Sequence, residues 1–323
     1  MLTCIDLFAG AGGLSLGLSQ AGIRPVAAVE IDRDACATYR ANHPDIRLIE
    51  GDSRTVNYTQ FEGVDIVAGG PPCQPFSTGG LRKGRADGRD LLPEFVRAVV
   101  EAKPRAFLLE NVPGLASGAH AAYLAEVLEP LRDLYRISGP LLINAADYGV
   151  PQKRRRVVIV GTREGEFRLP PHRTRIPAGE VITTKPVGEP NNSLVVYAKT
   201  PDLRPNPYDG QLFNGGGRGV DLDGPAPTIL ASAGGNKTPF LDVGRHVPPY
   251  HRHLMRGGKP RVGTLPDARR LTVAECAALQ GFPRAMAFQG SRSSQYTQVG
   301  NAVPPPLAFA MGEAIADLIQ RHS

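Results

Sequence analysis

The stretch Gly69–Thr78 reads GGPPCQPFST and follows VDIVA, an apolar run of strand character. Cys73 therefore stands where a strand runs out into a loop, among prolines that fix the backbone and remove donors. A cysteine kept for packing sits inside an apolar run, where a thiol behaves as a small hydrophobe. This placement suits a reactive thiol instead. Such a group works as thiolate, which local donors or positive charge must favour. The run QKRRR (Gln152–Arg156) can supply that charge.

A second cluster lies near the start. DLFAGAGG (Asp6–Gly13) ends one apolar run and opens a helical one, and its glycines permit positive φ and close approach to a ligand. Glu30 closes the second apolar run and Asp52 follows the third. Carboxylates at strand ends can bind a nucleoside's hydroxyls and base amine in the crevice beside the first helix. The alternative is a tight turn flanked by solvated acids, since a glycine-rich turn alone is weak evidence. Its spacing departs from GxGxxG, which disfavours a nicotinamide enzyme.

Positioning these residues needs a scaffold. LTCIDLF (Leu2–Phe8), PVAAVE (Pro25–Glu30), IRLIEGD (Ile46–Asp52), VDIVAGG (Val64–Gly70), AFLLENV (Ala106–Val112) and RVVIVGT (Arg156–Thr162) read as strands. Leu14, Leu18 and Ala21 share a helical face, as do Phe95, Ala98 and Val99, and Ala121–Leu131 is another helix. Strands alternating with helices imply a mostly parallel α/β sheet covered on both faces. From Glu164 to Ala268, prolines and glycines crowd the chain and apolar periodicity disappears. That segment reads as a smaller, loop-rich domain. Regular structure resumes with LTVAECAALQGFP (Leu271–Pro283), where Thr272 caps a helix and Glu275 takes the capping-box position. A last helix, Pro305 to Ile319, is expected back on the large domain.

The chain has 323 residues and a net charge of +6, enough for one large domain plus a smaller one and mildly in favour of a polyanionic partner. Cys4, Cys36, Cys73 and Cys276 form no CxxC pair, and the seven histidines show no metal spacing, so no metal is expected. Cys4, Cys36 and Cys276 read as passive thiols. Nothing reads as a signal peptide or a membrane-spanning run, so a reducing, cytoplasmic setting is expected.

Six segments in order carry a resemblance: DLFAGAGG, GGPPCQPFS, ENV (Glu110–Val112), QKRRRVVIVG (Gln152–Gly161), RLTVAECAALQGFP (Arg270–Pro283) and QVGNAVPP (Gln298–Pro305). Together they resemble the ordered motifs of DNA (cytosine-5)-methyltransferases. The likeness spans nearly the whole chain except the Pro/Gly-rich segment, which resembles the family's variable target-recognition domain. It implies a Rossmann-like S-adenosylmethionine-dependent fold with residues 1–163 as the first part of the catalytic domain. Residues 164–268 would form the target-recognition domain, and 269–323 would return to its edge and to the catalytic domain, with the last helix near the first strand.

Chemistry accounts for the residue types the resemblance singles out. Carbon 5 of cytosine is a poor nucleophile, and a thiolate added to C6 makes it enamine-like. The resemblance puts Cys73 in that role. Attack pushes electrons towards N3, where Glu110 would donate while binding the exocyclic amine. Arg156 would contact the base carbonyl, and Arg154 would steer Glu110 or the thiolate. Taken singly, Glu110 also reads as a solvated strand-end carboxylate and the arginines as a phosphate or surface patch. For S-adenosylmethionine, leaving as S-adenosylhomocysteine, the resemblance implies Phe8, Ala9, Gly10, Gly12, Glu30, Ile31, Asp52, Pro72, Asn301 and Val303. Glu30 would take the ribose hydroxyls and Asp52 the adenine amine.

The basic, glycine-rich loop STGGLRKGRADGRD (Ser77–Asp90) is long for a strand-to-helix connection and suits a lid. A thiolate cannot reach a base inside a duplex, so the target must be flipped out. Gln74, Ser77, Arg82, Lys83, Arg85 and Arg89 would contact DNA as the loop closes. Within Asn214–Phe240, Arg218, Asn236 and Lys237 are expected to contact DNA, since in a major groove Arg and Lys can read guanine and Asn adenine. The expected partner is double-stranded DNA, with a bacterial restriction-modification setting, a cognate restriction endonuclease that forms no stable complex, and a monomeric enzyme. Two other readings share the core: a tRNA cytosine-5 methyltransferase and a catalytically inactive DNA-binding protein. The first would carry a CFT signature in the small domain, where no cysteine occurs between Cys73 and Cys276. The second is disfavoured by intact PPCQ, ENV and QxRxR.

Overall fold

A computed structural model describes residues 1–72, 90–208 and 217–322. The chain runs β1 (Thr3–Leu7), α1 (Gly13–Gln20), β2 (Arg24–Glu30), α2 (Arg33–Asn42), β3 (Arg47–Glu50), β4 (Ile66–Gly69), α3 (Leu92–Ala102), β5 (Ala106–Asn111), α4 (Ala119–Val127) and β6 (Arg136–Asn144). It continues through β7 (Gln152–Lys153), β8 (Arg155–Thr162), β9 (Ala226–Pro227), β10 (Phe240–Asp242), α5 (Val247–Met255), β11 (Ala268–Arg270), α6 (Val273–Leu279), α7 (Arg292–Asn301) and α8 (Pro305–Arg321).

Two compact units divide these elements: Met1–Tyr148 with Arg155–Arg173 and Ala302–Ser323, and Gly149–Arg154 with Thr174–Asn301. The boundaries expected from sequence fall at 163/164 and 268/269. Packing instead assigns 164–173 to the first unit, and 149–154 and 269–301 to the second, because chain segments join the core they pack against rather than the composition they resemble.

The first unit is built on a seven-stranded sheet in the order β3-β2-β1-β4-β5-β8-β6. Strands β1 to β5 pair in parallel, and β8 runs antiparallel to both β5 and β6. Parallel strands buried on both faces read as continuous apolar runs, which is how β4 and β5 are composed. Leu7, Gly69 and Leu109 lie in register across β1, β4 and β5, so β1 and β4 end together and β5 carries Glu110 and Asn111 just beyond them. The core gathers Ile5, Leu7, Phe95, Phe107, Leu109 and Ile159, with α3 laying Phe95, Ala98 and Val99 onto the sheet.

Helix α8 packs on α1. A Cβ on Gly17 would meet the Pro305 carbonyl at 2.3 Å and Ala308 Cβ at 2.5 Å, so only glycine permits this approach. Within Arg292–Arg321 one stretch is apolar enough by composition to cross a membrane, but most of it is buried inside the protein.

The second unit has little regular sheet: β10 pairs antiparallel with β11, and β7 in parallel with β9. Its core holds Val195, Tyr197, Phe240, Val247, Tyr250 and Leu265. Arg270 is 1% exposed within it, donating to the carbonyls of Thr238 (2.7 Å) and Leu194 (3.0 Å), and burial lowers its pKa to about 10. In α6 the capping box is complete: Thr272 accepts from the Glu275 amide while Glu275 accepts from the Thr272 amide.

Candidate functional site

In the first unit the strand-end motifs meet at the carboxyl edge of the sheet, the general location for ligands in parallel α/β proteins. After β1 the chain turns through Phe8 (φ 59), Gly10 (φ 55) and Gly12 (φ 86), three left-handed residues in five positions. For Phe8 that conformation is strained, a condition that surrounding structure must enforce and that clusters at ligand-holding loops. Here the enforcement is visible. The Ala9 amide donates to the Val29 carbonyl at 3.1 Å, and the Gly10 amide donates to Glu30 Oε2 at 2.7 Å.

Glu30 also accepts the amides of Ile31 and Asp32 on Oε1, each at 2.8 Å. Its carboxylate thus fixes the glycine turn and the β2–α2 turn together, a scaffolding duty that sequence inspection missed. A strand-end acid followed by IDRD was the available signal, because Asp32 caps α2 through the Ala35 amide. Asp52 caps the short turn Ser53–Thr55 and is gripped by Arg54, with Nε at 3.0 Å from both oxygens and Nη2 at 2.5 Å from Oδ2. That pairing lowers the Asp52 pKa. Ile31 is 63% exposed. These residues form a cradle with backbone room, two carboxylates and an apolar cover.

The second group centres on Glu110, 8% exposed at the end of β5. Arg156 Nε lies 2.8 Å from Glu110 Oε1, yet off the hydrogen-bonding direction, so among the described residues no donor is aligned on this buried oxygen. Burial lowers the Arg156 pKa, and the Glu110 charge opposes that shift. Arg156 Nη1 donates to the Arg155 carbonyl at 2.7 Å. The Cβ position of Gly70 lies 3.4 Å from Glu110 Oε2 and 3.7 Å from Val303 Cγ2, which brings the end of β4 and the start of the C-terminal segment to the same spot.

Asn111, buried beside Glu110, donates Nδ2 to the Pro71 carbonyl at 3.1 Å and accepts the Val112 amide at 2.8 Å. It ties the prolines that lead into Cys73 to β5. The sequence signal for it was a polar residue inside an otherwise apolar strand.

Cys73, Gln74, Ser77, Arg82, Lys83, Arg85 and Arg89 lie outside the described residues. The chain enters that segment through exposed Pro72. Arg154, expected beside Glu110 or the thiolate, belongs to the second unit and is 1% exposed. There Nη1 donates to the Ile229 carbonyl (3.1 Å) and Nη2 to the Gly300 carbonyl (2.9 Å), so it braces backbone of that unit. Asn301 ends α7 and is exposed. Asn236 and Lys237 sit in an exposed turn, Gly235–Lys237, and Arg218 accepts the Phe240 amide on its carbonyl beside β10. Cys4, Cys36 and Cys276 are buried and free, and burial raises all three pKa values, as expected of thiols with no chemical task.

The chain as a whole matches a known family. The model for C-5 cytosine-specific DNA methylase matches residues 2–201 and 232–317. The Type II methyltransferase M.NgoMIV of Neisseria gonorrhoeae is 35% identical, over 99% of each chain. The Type II methyltransferase M1.HphI of Haemophilus parahaemolyticus is 37% identical over 97% of this chain and 86% of its own. Among solved structures, a DNA modification methyltransferase encoded within an E. coli prophage superposes with TM-score 0.72 at 24% identity, covering 99% of this chain and 100% of that one.

Proposed function

The chain belongs to the C-5 cytosine-specific DNA methylase family and is a DNA cytosine-5 methyltransferase, and from that premise we propose that it methylates a flipped cytosine in a short duplex sequence through a covalent bond from Cys73 to C6. One observation carries the reading. The buried Glu110 carboxylate sets Oε2 towards Gly70 just past β4, three residues before Cys73, and keeps Oε1 beside the Arg156 guanidinium without an aligned donor. Such an oxygen suits the exocyclic amine of cytosine, a group with hydrogens to give.

S-adenosylmethionine would supply the electrophilic methyl group. The residues fit it: Ala9, Gly10 and Gly12 offer a turn with little side-chain bulk, Phe8 brings a partly buried aromatic ring, Glu30 keeps acceptor capacity for ribose hydroxyls, and Ile31 exposes an apolar face to an adenine ring. Asp52 would take the adenine amine, and Pro72, Val303 and Asn301 would complete the contacts.

The remaining steps belong to this chain and its substrate. The Cys73 thiolate adds to C6, and the displaced electron pair is carried to N3, which takes a proton from Glu110. Arg156 holds the base carbonyl and keeps Glu110 in place. C5 then takes the methyl group while N3 returns its proton to Glu110, the C5 proton leaves to a base, and elimination restores the double bond and frees the thiolate. Arg82, Lys83, Arg85 and Arg89 hold phosphates over the flipped site together with Gln74 and Ser77, while Arg218, Asn236 and Lys237 read bases. The setting is a bacterial cytoplasm and a monomeric enzyme, paired with a restriction endonuclease of the same specificity.

The test uses duplex DNA with 5-fluorocytosine at the target position. Fluorine cannot leave as a cation, so elimination stops after transfer and the protein stays bonded to DNA. The adduct should survive denaturing electrophoresis, require S-adenosylmethionine, map to GGPPCQPFST and vanish in Cys73→Ser. An adduct on another cysteine, or none from an active preparation, rejects the assignment.

A further inference from the structure

One stretch of the second unit concentrates the charge of the chain. Positions 243–266 contain no aspartate or glutamate, yet Arg245, Arg252, Arg256, Lys259 and Arg261 stand there, in a chain whose net charge is +6. All five are exposed. The flanking acids are engaged elsewhere: Asp242 accepts the amides of His246 and Val247 at 2.9 and 2.7 Å, and Asp267 lies 3.4 Å from His246. Among the described residues no carboxylate pairs with any of the five cations.

The stretch is a fixed platform. Arg252 and Arg256, four positions apart at the end of α5, share a helix face. The chain then folds back on the helix. The Gly257 amide donates to the Leu254 carbonyl at 2.9 Å and the Gly258 amide to the His253 carbonyl at 3.0 Å. The Lys259 carbonyl lies 3.2 Å from His253 Nε2, and a Cβ on Gly258 would come within 2.2 Å of the His253 ring. Arg261 donates its amide to the Tyr250 hydroxyl at 3.1 Å and lays its guanidinium over that ring, 5.4 Å from the centroid. The Tyr197 amide, donating to the Gly263 carbonyl at 3.0 Å, closes the loop on the core of this unit.

Folding alone does not call for these charges. A cation in the last turn complements the helix dipole, which accounts for Arg252 and its neighbour Arg256 but not for Lys259 or Arg261. Like charges at i and i+4 repel. We propose that the end of α5 and the loop 257–263 form a sequence-independent site for the phosphate backbone of duplex DNA, built from residues other than those of the turn Gly235–Lys237. The inference rests on the double-stranded DNA reading. Asn and Gln, which read adenine, and the acids that accept from cytosine do not occur between positions 243 and 266. Fixed guanidinium and ammonium groups without such neighbours suit phosphates, which hold a duplex in place and carry no sequence information. Met255 and Val262 are exposed beside the cations, so an anionic lipid surface is the competing partner that the test must separate.

Fluorescence anisotropy of the full chain on a random-sequence duplex of about 30 base pairs, between about 50 and 200 mM salt, tests this. In the triple variant Arg252→Gln, Arg256→Gln, Lys259→Gln, the slope of log affinity against log salt should shrink by about 2 to 3, since each lost phosphate contact removes about 0.9. Kd at about 100 mM salt should rise at least about tenfold. Arg252→Lys, Arg256→Lys, Lys259→Arg keeps the charge and should keep the slope. Bisulfite sequencing of host DNA should show the same methylated sequence for the neutralised variant as for the wild type. A slope unchanged by neutralisation overturns the proposal, as does a slope lost equally in the charge-keeping variant, the pattern of a merely structural role. A changed methylated sequence overturns it by making these residues base readers. Loss of binding to phosphatidylserine vesicles with DNA binding intact gives the surface to a membrane. Absence of duplex methylation by the wild-type chain removes the DNA reading itself, a distinct outcome.

Discussion

Glu110 and Arg156 meet at 2.8 Å with each side chain only 11% exposed, and this pair shows why a single residue can dominate the chemistry. A charge at such depth is tolerable because its partner is present, and removing either leaves the other uncompensated. The same contact leaves Glu110 Oε1 without an aligned donor, ready for a base. Glu110→Gln keeps the shape and loses the proton function. We expect turnover to fall by about 10²- to 10⁴-fold, the range for a positioned acid or base. Cofactor affinity should stay within about threefold, since the cradle is built on other residues. Single-turnover methyl transfer with parallel binding titrations measures both. A larger loss of binding than of rate would move Glu110 from chemistry to scaffolding.

At the scale of elements, the second unit depends on local devices rather than on a broad sheet. Its α6 has seven residues, too few to be stable by helix propensity alone. The capping box at Thr272 and Glu275 closes its first turn, and the Thr272 hydroxyl also donates to the Val187 carbonyl at 2.5 Å. Arg269 adds two contacts to Glu275, at 2.7 and 2.8 Å. Thr272→Ala removes the cap and leaves a carbonyl unserved. The expected loss is about 1–2 kcal/mol in denaturant unfolding. Thr272→Ser retains the hydroxyl and should recover most of it, whereas equal losses in both variants would assign the effect to the methyl group's packing.

At the scale of the whole molecule, chemistry and recognition are expected to separate along the two units. The first unit holds the glycine turn, Glu110 and Arg156; the second holds Arg218, Asn236 and Lys237. The family match also skips 202–231, within the second unit. Replacing 174–301 with the corresponding segment of a Type II relative should therefore change the methylated sequence while 5-methylcytosine remains the product. Bisulfite sequencing of host DNA reads both results at once. An active chimera with an unchanged site would show that recognition resides elsewhere in the chain. Arg154 makes the boundary consequential: it lies in the second unit within the QKRRR run, so the exchanged segment must accommodate its bonds to the backbone near Ile229 and Gly300.

By itself the sequence determined the central strands, because strands covered on both faces are largely apolar: β1, β4 and β5 lie within the runs that composition marks, and β2 and β8 begin one residue before theirs, at Arg24 and Arg155. It also determined α6, whose cap is a side-chain pattern confined to four residues. Elements with weak local pattern were invisible. Strand β6 lies at the sheet edge, half exposed and interrupted at Gly139–Pro140. Helix α2 is largely polar, and α5 opens on a Pro-Pro pair. The cradle's residue types were legible too, since glycine, acid and apolar positions follow directly from strand ends. Tertiary structure alone decided which polar atom meets which. Asn111 reaches Pro71 across forty residues, Ser15 joins Asp6 to Tyr39, and Arg154 and Arg156, two positions apart, fall in different units. The physical reason is that hydrophobic periodicity encodes which face of an element is buried, whereas hydrogen bonds and ion pairs depend on distances that only the closed chain sets.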